Sequence, residues 1–503
     1  MTSNSASIRA VLLRVGRHWP WVIGLAAFGV YASLGLAFEQ RGLFYCQNVL
    51  FDADVTRVID DLTTWHTSHH RTSVHPLFTL LTLPIGAELA RWLSPAIIAV
   101  VAVALAGAGA VAVAGALLRK LLPEEEALTL TLVYASASSS LFMFSIIDTF
   151  AFSALAIAVL LYWARRELPL PQQLLARVLT FGTVTTNLVF VAIAEGWAPR
   201  RVASKMDWWA LCVKSFALSV ATVLVTAALA LLGSRFIPNT HLFFDPAALS
   251  QERHYMPRFA DAGDVLARVE YLLLSLVCHA WIVPRPRFYR NPDFGVDWAT
   301  FTELRFTSYS ALQALLALAV VALLVWASWS NLSSGANKPA KFAVGSSLAF
   351  HAALLFVYGH EFFLYTPLWM LQWILWIALA LSEPLRRWKP SARMLLVLAA
   401  GLFTSNIATA KHITRHFDHA LHCKHNNRAC ITRQYRLAET RAFEEQEAKE
   451  REREKRQKRN REERESGSTQ GSYSFVSPAD AGMGPPPPSA RPKLAPIESS
   501  RSK

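Results

Sequence analysis

Two long uncharged stretches limit the folds open to this chain more than any other feature. Residues Trp19–Phe38 contain no charged side chain, and Ala96–Leu118 ("AIIAVVAVALAGAGAVAVAGALL") is longer still. About 20 consecutive apolar residues cross the hydrocarbon core of a bilayer as a helix. Both stretches are therefore predicted to span a membrane. The first lacks the short apolar core and small-residue cleavage site of a signal peptide, so we expect it to be retained.

Further apolar segments follow along the chain. They cover residues 76–93, 127–146, 149–164, 174–197, 208–233, 307–329, 342–359, 362–381 and 393–410. Of all residues, 53% are hydrophobic and only 17% charged, and much of that charge lies in the last part of the chain. The pattern predicts an all-α polytopic membrane protein with about 9–11 transmembrane helices. Richness in Ala, Leu and Arg is typical of a GC-rich bacterium, and hence favours a multi-pass protein of a bacterial inner membrane.

Arginines and lysines near helix ends predict the orientation, because they collect on the cytoplasmic side. Arg9, Arg14 and Arg17 predict a cytoplasmic N-terminus, residues 1–18. The other basic residues predicted on that side are Arg119, Lys120, Arg165, Arg166, Arg200, Arg201, Arg386, Arg387 and Lys389. This also explains the net charge of +14 without a nucleic-acid partner.

The same orientation puts two long loops, about 39–75 and about 235–306, on the outer side. It requires that the segment 76–93 be interfacial or re-entrant, and that 174–197 form a short hairpin. The second loop is partly amphipathic, and we expect it to lie on the membrane as a small outer subdomain. Together these features predict a transmembrane domain over residues 19–410.

The end of the chain has a different composition. A juxtamembrane segment, 411–438, contains Cys423 and Cys430, for which a disulfide and two free thiols are both open; none of the five cysteines forms a CxxC pair. Residues 439–465 have opposite charges four apart, which favours a solvated helix. Residues 466–503 are rich in Ser, Gly and Pro, which predicts disorder.

The first loop holds the residues best suited to catalysis or to ligand binding. In "FDADVTR", Asp52 and Asp54 are two residues apart, so they share one side of an extended chain but diverge on a helix. An acidic pair at the mouth of a helical bundle is a candidate for a general base or a cation ligand. Arg57, Arg71 and His75 follow, and such groups bind phosphate. The alternative for any one of these acids is an ordinary solvated loop.

Zinc is a weaker interpretation of the same loop. His66, His69 and His70 have the i, i+3 and i+4 spacing that would bring them together on a helix. No paired carboxylate motif accompanies them.

These pieces resemble the GT-C superfamily of polytopic glycosyltransferases that use polyprenyl-phosphate sugars, such as protein O-mannosyltransferases and aminoarabinose transferases. "FDADVTR" is similar to the acidic motif of that family, and "VHPLFTLL" to its histidine-proline motif. Asp148 in "SLFMFSIIDTFAFSAL" matches an acidic residue in a short outer loop. "YGHEFFLYTPLW" matches a late outer turn, and contributes His360, Glu361 and Tyr365.

The resemblance implies transfer of a sugar from a polyprenyl-phosphate donor to an acceptor, which is a glycan, a lipid or a protein. It implies Asp54 as the general base and Asp52 as its orienter or as a ligand of a divalent cation, Mg²⁺ or Mn²⁺, held by both aspartates. The substrate-binding candidates are Arg57, Arg71, His75, Asp148, His360, Glu361 and Tyr365.

Three alternatives stay open at this point. Asp148 could instead cap the helix that begins at Thr149, since Asp is a favoured N-cap. The whole protein could be a carrier or flippase for a lipid or an anion, although such proteins usually place polar groups in broken helices near the midplane. A non-catalytic membrane scaffold, with its charged tail as a recruiting segment, is the third alternative.

Overall fold

The computed structural model describes most of the chain up to residue 422. The described ranges are 16–44, 49–65, 70, 72–166, 168–198, 205–246, 255–257, 259, 261–290, 297–302, 304–383 and 389–422, with the isolated positions 452, 455, 456 and 459. Residues Met1–Tyr435 form one compact unit and Arg436–Lys503 a second. The four isolated positions are helical; the rest of the predicted charged helix, the predicted disordered tail, Cys423 and Cys430 lie outside the described residues.

The described chain is helical with one small β-hairpin. Its α-helices are α1 (Trp19–Gln40), α2 (Val55–Thr63), α3 (Phe78–Leu89), α4 (Pro95–Leu118), α5 (Glu124–Ser136), α6 (Ser138–Met143), α7 (Phe150–Ala164), α8 (Leu170–Thr183), α9 (Leu188–Ile193), α10 (Lys205–Gly233), α11 (Ala262–Leu274), α12 (Ala311–Leu332), α13 (Lys338–Val357), α14 (Thr366–Leu381) and α15 (Ala392–His422). The strands β1 (Arg287–Arg290) and β2 (Asp297–Thr300) pair antiparallel.

Seven helices in the described ranges are long and apolar enough to cross a membrane. They are α1, α4, α10, α12, α13, α15, and α14 with the 3₁₀ turn before it. The chain is therefore an all-α, multi-pass membrane protein in class, as predicted. The last helix differs from the prediction, because α15 continues to His422, past the predicted end at 410.

Small side chains let the first and fourth helices approach closely. Gly24 of α1 faces Ala112 of α4, and a Cβ added at Gly24 would lie 2.9 Å from the Ala112 Cβ. Gly35 near the other end of α1 packs on Val100, so the two helices run antiparallel. Close approach of small residues is the usual way that helices associate in a bilayer, where water drives no association. The Ala- and Gly-rich composition of α4 thus places it inside the bundle.

Two predicted apolar segments do not form a single helix long enough to cross a membrane. Segment 76–93 forms only α3, whose 12 residues extend about 18 Å, too short to cross a 30 Å hydrocarbon core. Segment 127–146 is divided between α5 and α6. At the break, the backbone N–H groups of Ser138 and Ser139 donate to the carbonyl oxygens of Trp281 and Ala280 in the second loop. The sequence does not reveal this break, because the bonding partners are distant in the chain.

Segment 174–197 is a hairpin, as the charge pattern required. Helix α8 ends at Thr183, and Val184 is extended. The Asn187 side chain donates back to the carbonyl oxygen of Thr180 at 3.0 Å. After α9 the chain has returned alongside α8, because Arg177 of α8 pairs with Glu195 at 2.6 Å.

The two long loops are hydrogen-bonded to each other. The N–H of Phe51 donates to the carbonyl oxygen of Ala299, and the N–H of Ala299 donates to that of Val49, both at 2.9 Å. A second connection joins His70 to Asn239 at 3.2 Å. The loops therefore lie at one end of the bundle, which we call the loop end. That this end faces the outer side of the membrane stays a prediction.

The opposite end is marked by Trp19, whose indole N–H donates to Glu124 at 2.6 Å; we call it the Trp19 end. Helix α15 finishes at the loop end. Its Asp418 pairs with Arg41, directly after α1, at 2.9 Å. Helix α13 also finishes there, because Arg268 of α11 donates to the carbonyl oxygens of Leu355 and Phe356.

Candidate functional site

A strained turn carries Asp52. The N–H of Ala53 donates to the carbonyl oxygen of Leu50 at 3.1 Å, which closes a turn over Phe51 and Asp52. Both central residues have positive φ, 55° and 60°, the pattern of a type I′ turn. Asp tolerates this region, but a bulky residue such as Phe51 rarely adopts it. Neither of the two conformations considered from the sequence, extended or helical, describes this pair.

Aromatic packing holds the turn in place. The Phe51 ring is fully buried and stacks on Phe301 with the ring centroids 4.5 Å apart. It also contacts Phe142 and Phe363 edge-on. A backbone strain of this kind persists only where its surroundings determine it, and it is often found at functional sites.

Asp54 lies at the start of α2. It occupies the N-cap position, yet its side chain accepts no capping hydrogen bond. Its carboxylate pairs instead with the guanidinium of Arg57, one turn later. The side chains of Asp54 and Arg57 are 25% and 16% exposed, so both are partly open to solvent at the loop end. This pair combines a proton acceptor with a group suited to phosphate.

Asp148 connects the first loop to α7. Its Oδ1 accepts hydrogen bonds from the Thr149 N–H at 2.6 Å and the Thr149 hydroxyl at 3.2 Å. Its Oδ2 accepts from the N–H of Asp54 at 3.4 Å. The N-cap position of α7 belongs to Thr149, so Asp148 is not the helix cap considered from the sequence. The buried carboxylate instead joins the Asp54 backbone to the start of α7.

His75 completes the same set of contacts. The Thr183 carbonyl oxygen lies 2.8 Å from Nδ1, and because a carbonyl only accepts, Nδ1 carries a proton. The other nitrogen, Nε2, faces the Thr149 hydroxyl at 3.5 Å. Asp54, Arg57, Asp148 and His75 are thereby linked through Thr149, and we call these four residues the Asp54 cluster.

The late turn at 358–365 contributes its residues differently. Glu361 is buried, and both of its oxygens accept protein hydrogen bonds: Oε1 from the Tyr271 hydroxyl at 2.6 Å, and Oε2 from the hydroxyls of Thr300 and Thr302. The Phe301 N–H adds a further bond at 3.3 Å. A carboxylate with this many internal donors is suited to holding the loops together.

His360 and Tyr365, the other two candidates in the late turn, differ in their exposure to solvent. His360 is exposed, whereas the Tyr365 ring contacts Phe150 at the start of α7, with the centroids 5.3 Å apart. Gly359 has φ 83°, and an added Cβ would lie 3.0 Å from the Tyr365 ring, so only glycine fits.

Burial and two nearby carboxylates raise the pKa of Tyr289 of β1. Partial burial first, and then the negative charges of Asp52 and Glu361, raise the pKa of this phenol. The Phe51 ring also lies 5.2 Å from the Phe363 ring between centroids, so the first-loop motif and the late turn are in contact. Arg71, His66 and His69 lie outside the described residues, so the zinc interpretation and the role of Arg71 stay predictions.

Among the described residues, no three His, Cys, Asp or Glu side chains come together as a set that could hold a metal ion. His70 instead pairs with Asp61, with Nδ1 2.6 Å from Oδ1, and both side chains are buried. Burial is the main cause of a raised pKa at Asp61, opposed by His70 and Arg57. This pair fastens the end of the first loop to α2.

Sequence reasoning missed Arg268 and Tyr271, one turn apart on α11. The Arg268 guanidinium donates to the carbonyl oxygens of Leu355, Phe356 and Gly359 at 2.6–2.9 Å, and so satisfies the C-terminal end of α13. Burial, followed by the Glu361 charge, raises the pKa of Tyr271, which keeps its hydroxyl a donor. The i, i+3 spacing in "RVEY" was the one available signal, and it does not name the partners.

No protein-family model, no curated protein and no solved structure matches this chain. The family resemblance drawn from the short motifs therefore stays a prediction.

Proposed function

We propose that this protein is a membrane glycosyltransferase with a GT-C-like bundle of about 9–11 transmembrane helices. It moves a sugar from a polyprenyl-phosphate donor to a hydroxyl of a glycan, lipid or protein at the outer face of a bacterial inner membrane. Asp54 is the general base and Asp52 its partner. The substrates are bound by Arg57, Arg71, His75, Asp148, His360 and Tyr365, while Glu361 holds the loops together.

The observation that carries this proposal is the Asp54 cluster. Its members come from three separate stretches of sequence, yet they share contacts at the loop end, where an apolar bundle meets two polar loops. A lipid-linked donor and a water-soluble acceptor can meet only at such a boundary. The short helix α3, directly after His75, leaves Leu81 and Ile85 exposed beside it, which supports access for a lipid chain.

The chemistry needs few groups. Asp54 takes the proton of the acceptor hydroxyl as its oxygen forms a bond to the anomeric carbon. The bond from that carbon to the phosphate oxygen breaks, and the phosphate leaves with the electron pair. Arg57 is released from Asp54 as the carboxylate is neutralised, so its charge becomes available to the departing phosphate. One direct displacement inverts the anomeric centre.

A divalent cation is compatible with this scheme. Asp52 and Asp54 offer two carboxylates, and Mg²⁺ or Mn²⁺ bound by them would take its other ligands from substrate phosphate and water. Such an ion would neutralise phosphate charge, and no step above depends on it.

The test is an assay of full-length protein with radiolabelled polyprenyl-phosphate hexoses. Asp54→Asn keeps the shape of the side chain but removes the base, so we expect transfer to fall by about 10²–10⁴-fold. The control is Glu88→Gln, an exposed carboxylate on α3 that pairs with Arg91. Wild-type turnover by Asp54→Asn, with folding verified, excludes Asp54 as the base.

A lipid or anion carrier is the second candidate, and a specific observation favours it. His351 of α13 and Gln372 of α14 are fully buried inside apolar helices, and the His351 Nε2 and both Gln372 side-chain polar atoms have no hydrogen-bond partner in the described chain. Polar groups in a bundle interior are typical of transport paths. An apolar groove of about 580 Å³ between α9, α10 and α13 would suit a hydrocarbon chain.

Absence of label transfer by the wild type with every donor, together with lipid or anion flux in liposomes, would favour this carrier.

A further inference from the structure

One exposed stripe runs along α15 and changes character at its far end. Met394 and Val397 are 63% and 72% exposed, and the same face continues every three or four residues. Its later exposed members are Thr404, Ala408, Lys411 and Arg415. The stripe is thus uncharged from Met394 to Ala408 and cationic afterwards.

The change falls where a membrane surface would lie. With a rise of 1.5 Å per residue, Lys411 is about 26 Å and Arg415 about 32 Å beyond Met394 along the helix axis. A bilayer hydrocarbon core is about 30 Å thick. A helix that presents Met394 and Val397 to lipid therefore brings Lys411 and Arg415 to the layer of lipid head groups.

This surface belongs to the loop end, where two acids that contact neighbouring parts of α15 or belong to it have other partners. Asp418 pairs with Arg41, and Asp297 of β2 with His416 at 3.0 Å. Lys411 and Arg415 make no ion pair with any carboxylate in the described part of the chain. A third exposed cation, Arg285, lies three residues before Phe288 of β1, and the Phe288 ring stacks on His416 of α15 with the centroids 3.7 Å apart.

Stabilisation of the helix terminus does not account for this charge. Cations favour the last turn of a helix, where the carbonyl groups are unpaired. Helix α15 ends at His422, so Arg415 lies about two turns and Lys411 about three turns before the end. The charges of Lys411 and Arg415 are therefore available to an anionic group beside the helix.

We propose that Lys411, Arg415 and Arg285 bind the phosphate of an anionic membrane lipid, at a site separate from the Asp54 cluster. The apolar part of the stripe contacts the acyl chains of that lipid. Lysine and arginine at a membrane surface attract anionic lipids by about 1 kcal/mol each, which corresponds to about fivefold in affinity.

The test is a lipid titration of the full-length protein in detergent micelles, followed by native mass spectrometry. The probes are phosphatidylglycerol, the zwitterionic phosphatidylcholine, and free glycerol 3-phosphate as competitor. We expect tighter binding of phosphatidylglycerol, and an apparent Kd raised about fivefold by Lys411→Gln and again by Arg415→Gln. The exchange Lys411→Arg with Arg415→Lys should preserve binding, because it preserves charge.

The control variant, Arg91→Gln with Lys338→Gln, also removes two exposed cations and should bind like the wild type. Equal binding of the two lipids, or an unchanged Kd in the Lys411→Gln, Arg415→Gln double variant, overturns the proposal. Displacement by glycerol 3-phosphate at the same concentration as the lipid would show a site for free phosphate, and so contradict the assignment to lipid. None of these readouts depends on sugar transfer.

Discussion

The carboxylates at the two ends of the bundle are held by different kinds of partner. Toward the Trp19 end, described acids face Lys or Arg: Glu124 with Arg119, Glu195 with Arg177 and Lys214, and Glu383 with Lys341, at 2.6–2.9 Å. At the loop end, Asp148 and Glu361 receive bonds from backbone N–H groups and hydroxyls. Asp61 is held by a histidine, and Asp54 pairs with an arginine.

This difference separates two uses of charge. An ion pair fixes a carboxylate in its ionised form, and removing one member leaves the other uncompensated. A carboxylate held by neutral hydrogen-bond donors is also fixed in position, but neutral donors lower its basicity less than a neighbouring cation does. The Trp19 end thus uses ion pairs to hold its carboxylates, whereas Asp148 and Glu361 at the loop end are held by neutral donors. Two ion pairs with arginine depart from this pattern at the loop end: Asp418 with Arg41, which fastens α15 to the end of α1, and Asp54 with Arg57, whose charge the proposed mechanism uses.

The largest effect is expected at the buried ion pairs of the Trp19 end. Glu195→Gln leaves the Arg177 guanidinium, whose side chain is 3% exposed, and Lys214 without their carboxylate. We expect the free energy of unfolding to fall by about 3–5 kcal/mol. The measurement is a denaturant titration in mixed micelles.

Lys214→Gln is the matched control, because Lys214 is 32% exposed and water can compensate part of the loss; about 1 kcal/mol is expected. Equal effects of the two variants would show that the buried Arg177–Glu195 pair stabilises the fold no more than the partly exposed Lys214 does.

A smaller loss is expected at Glu361. Glu361→Ala deprives the Tyr271, Thr300 and Thr302 hydroxyls of their shared acceptor, and a hydrogen bond to a charged group contributes about 1.5–3 kcal/mol. We expect unfolding to become easier by about 3 kcal/mol, with increased proteolysis in the second loop. Glu361→Gln retains one acceptor oxygen and should lose less. Proteolysis unchanged in both variants would exclude Glu361 as the link between the loops.

Much of the fold follows from local sequence. The charge-free run at Trp19–Phe38 predicted α1, the Ala-rich run predicted α4, and the basic residues beside 174–197 required its hairpin. The division of 127–146 did not follow, because Ser138 and Ser139 bond to a loop that is distant in sequence. Apolar periodicity identifies what can enter a membrane, and it carries no information about which carbonyl groups will interrupt a helix.

The candidate site was predictable in composition but not in geometry. The acids, arginines and histidines of the first loop were visible as residue types. The type I′ turn at Phe51–Asp52 was not, because its formation depends on stacking against Phe301 and pairing with Ala299. Likewise, the segment "YGHEFFLY" predicted substrate contacts for Glu361. In the structure, Glu361 instead accepts hydrogen bonds from four donors that lie in other elements, and no local sequence pattern connects those elements to Glu361.

A weak pH dependence of the free energy of unfolding is expected from Asp61. Burial raises the pKa of this carboxyl above its usual 3.8, so in the acidic range above that value the folded protein holds a proton that the unfolded chain has lost. Stability linked to Asp61 therefore falls as pH rises through that range. Asp61→Asn cannot ionise and still offers an oxygen to His70, so the slope should diminish in thermal unfolding measured against pH. If Asp61→Asn instead matches the wild type at every pH, this carboxylate titrates alike in both states, and the loop end has no proton-holding acid at this position.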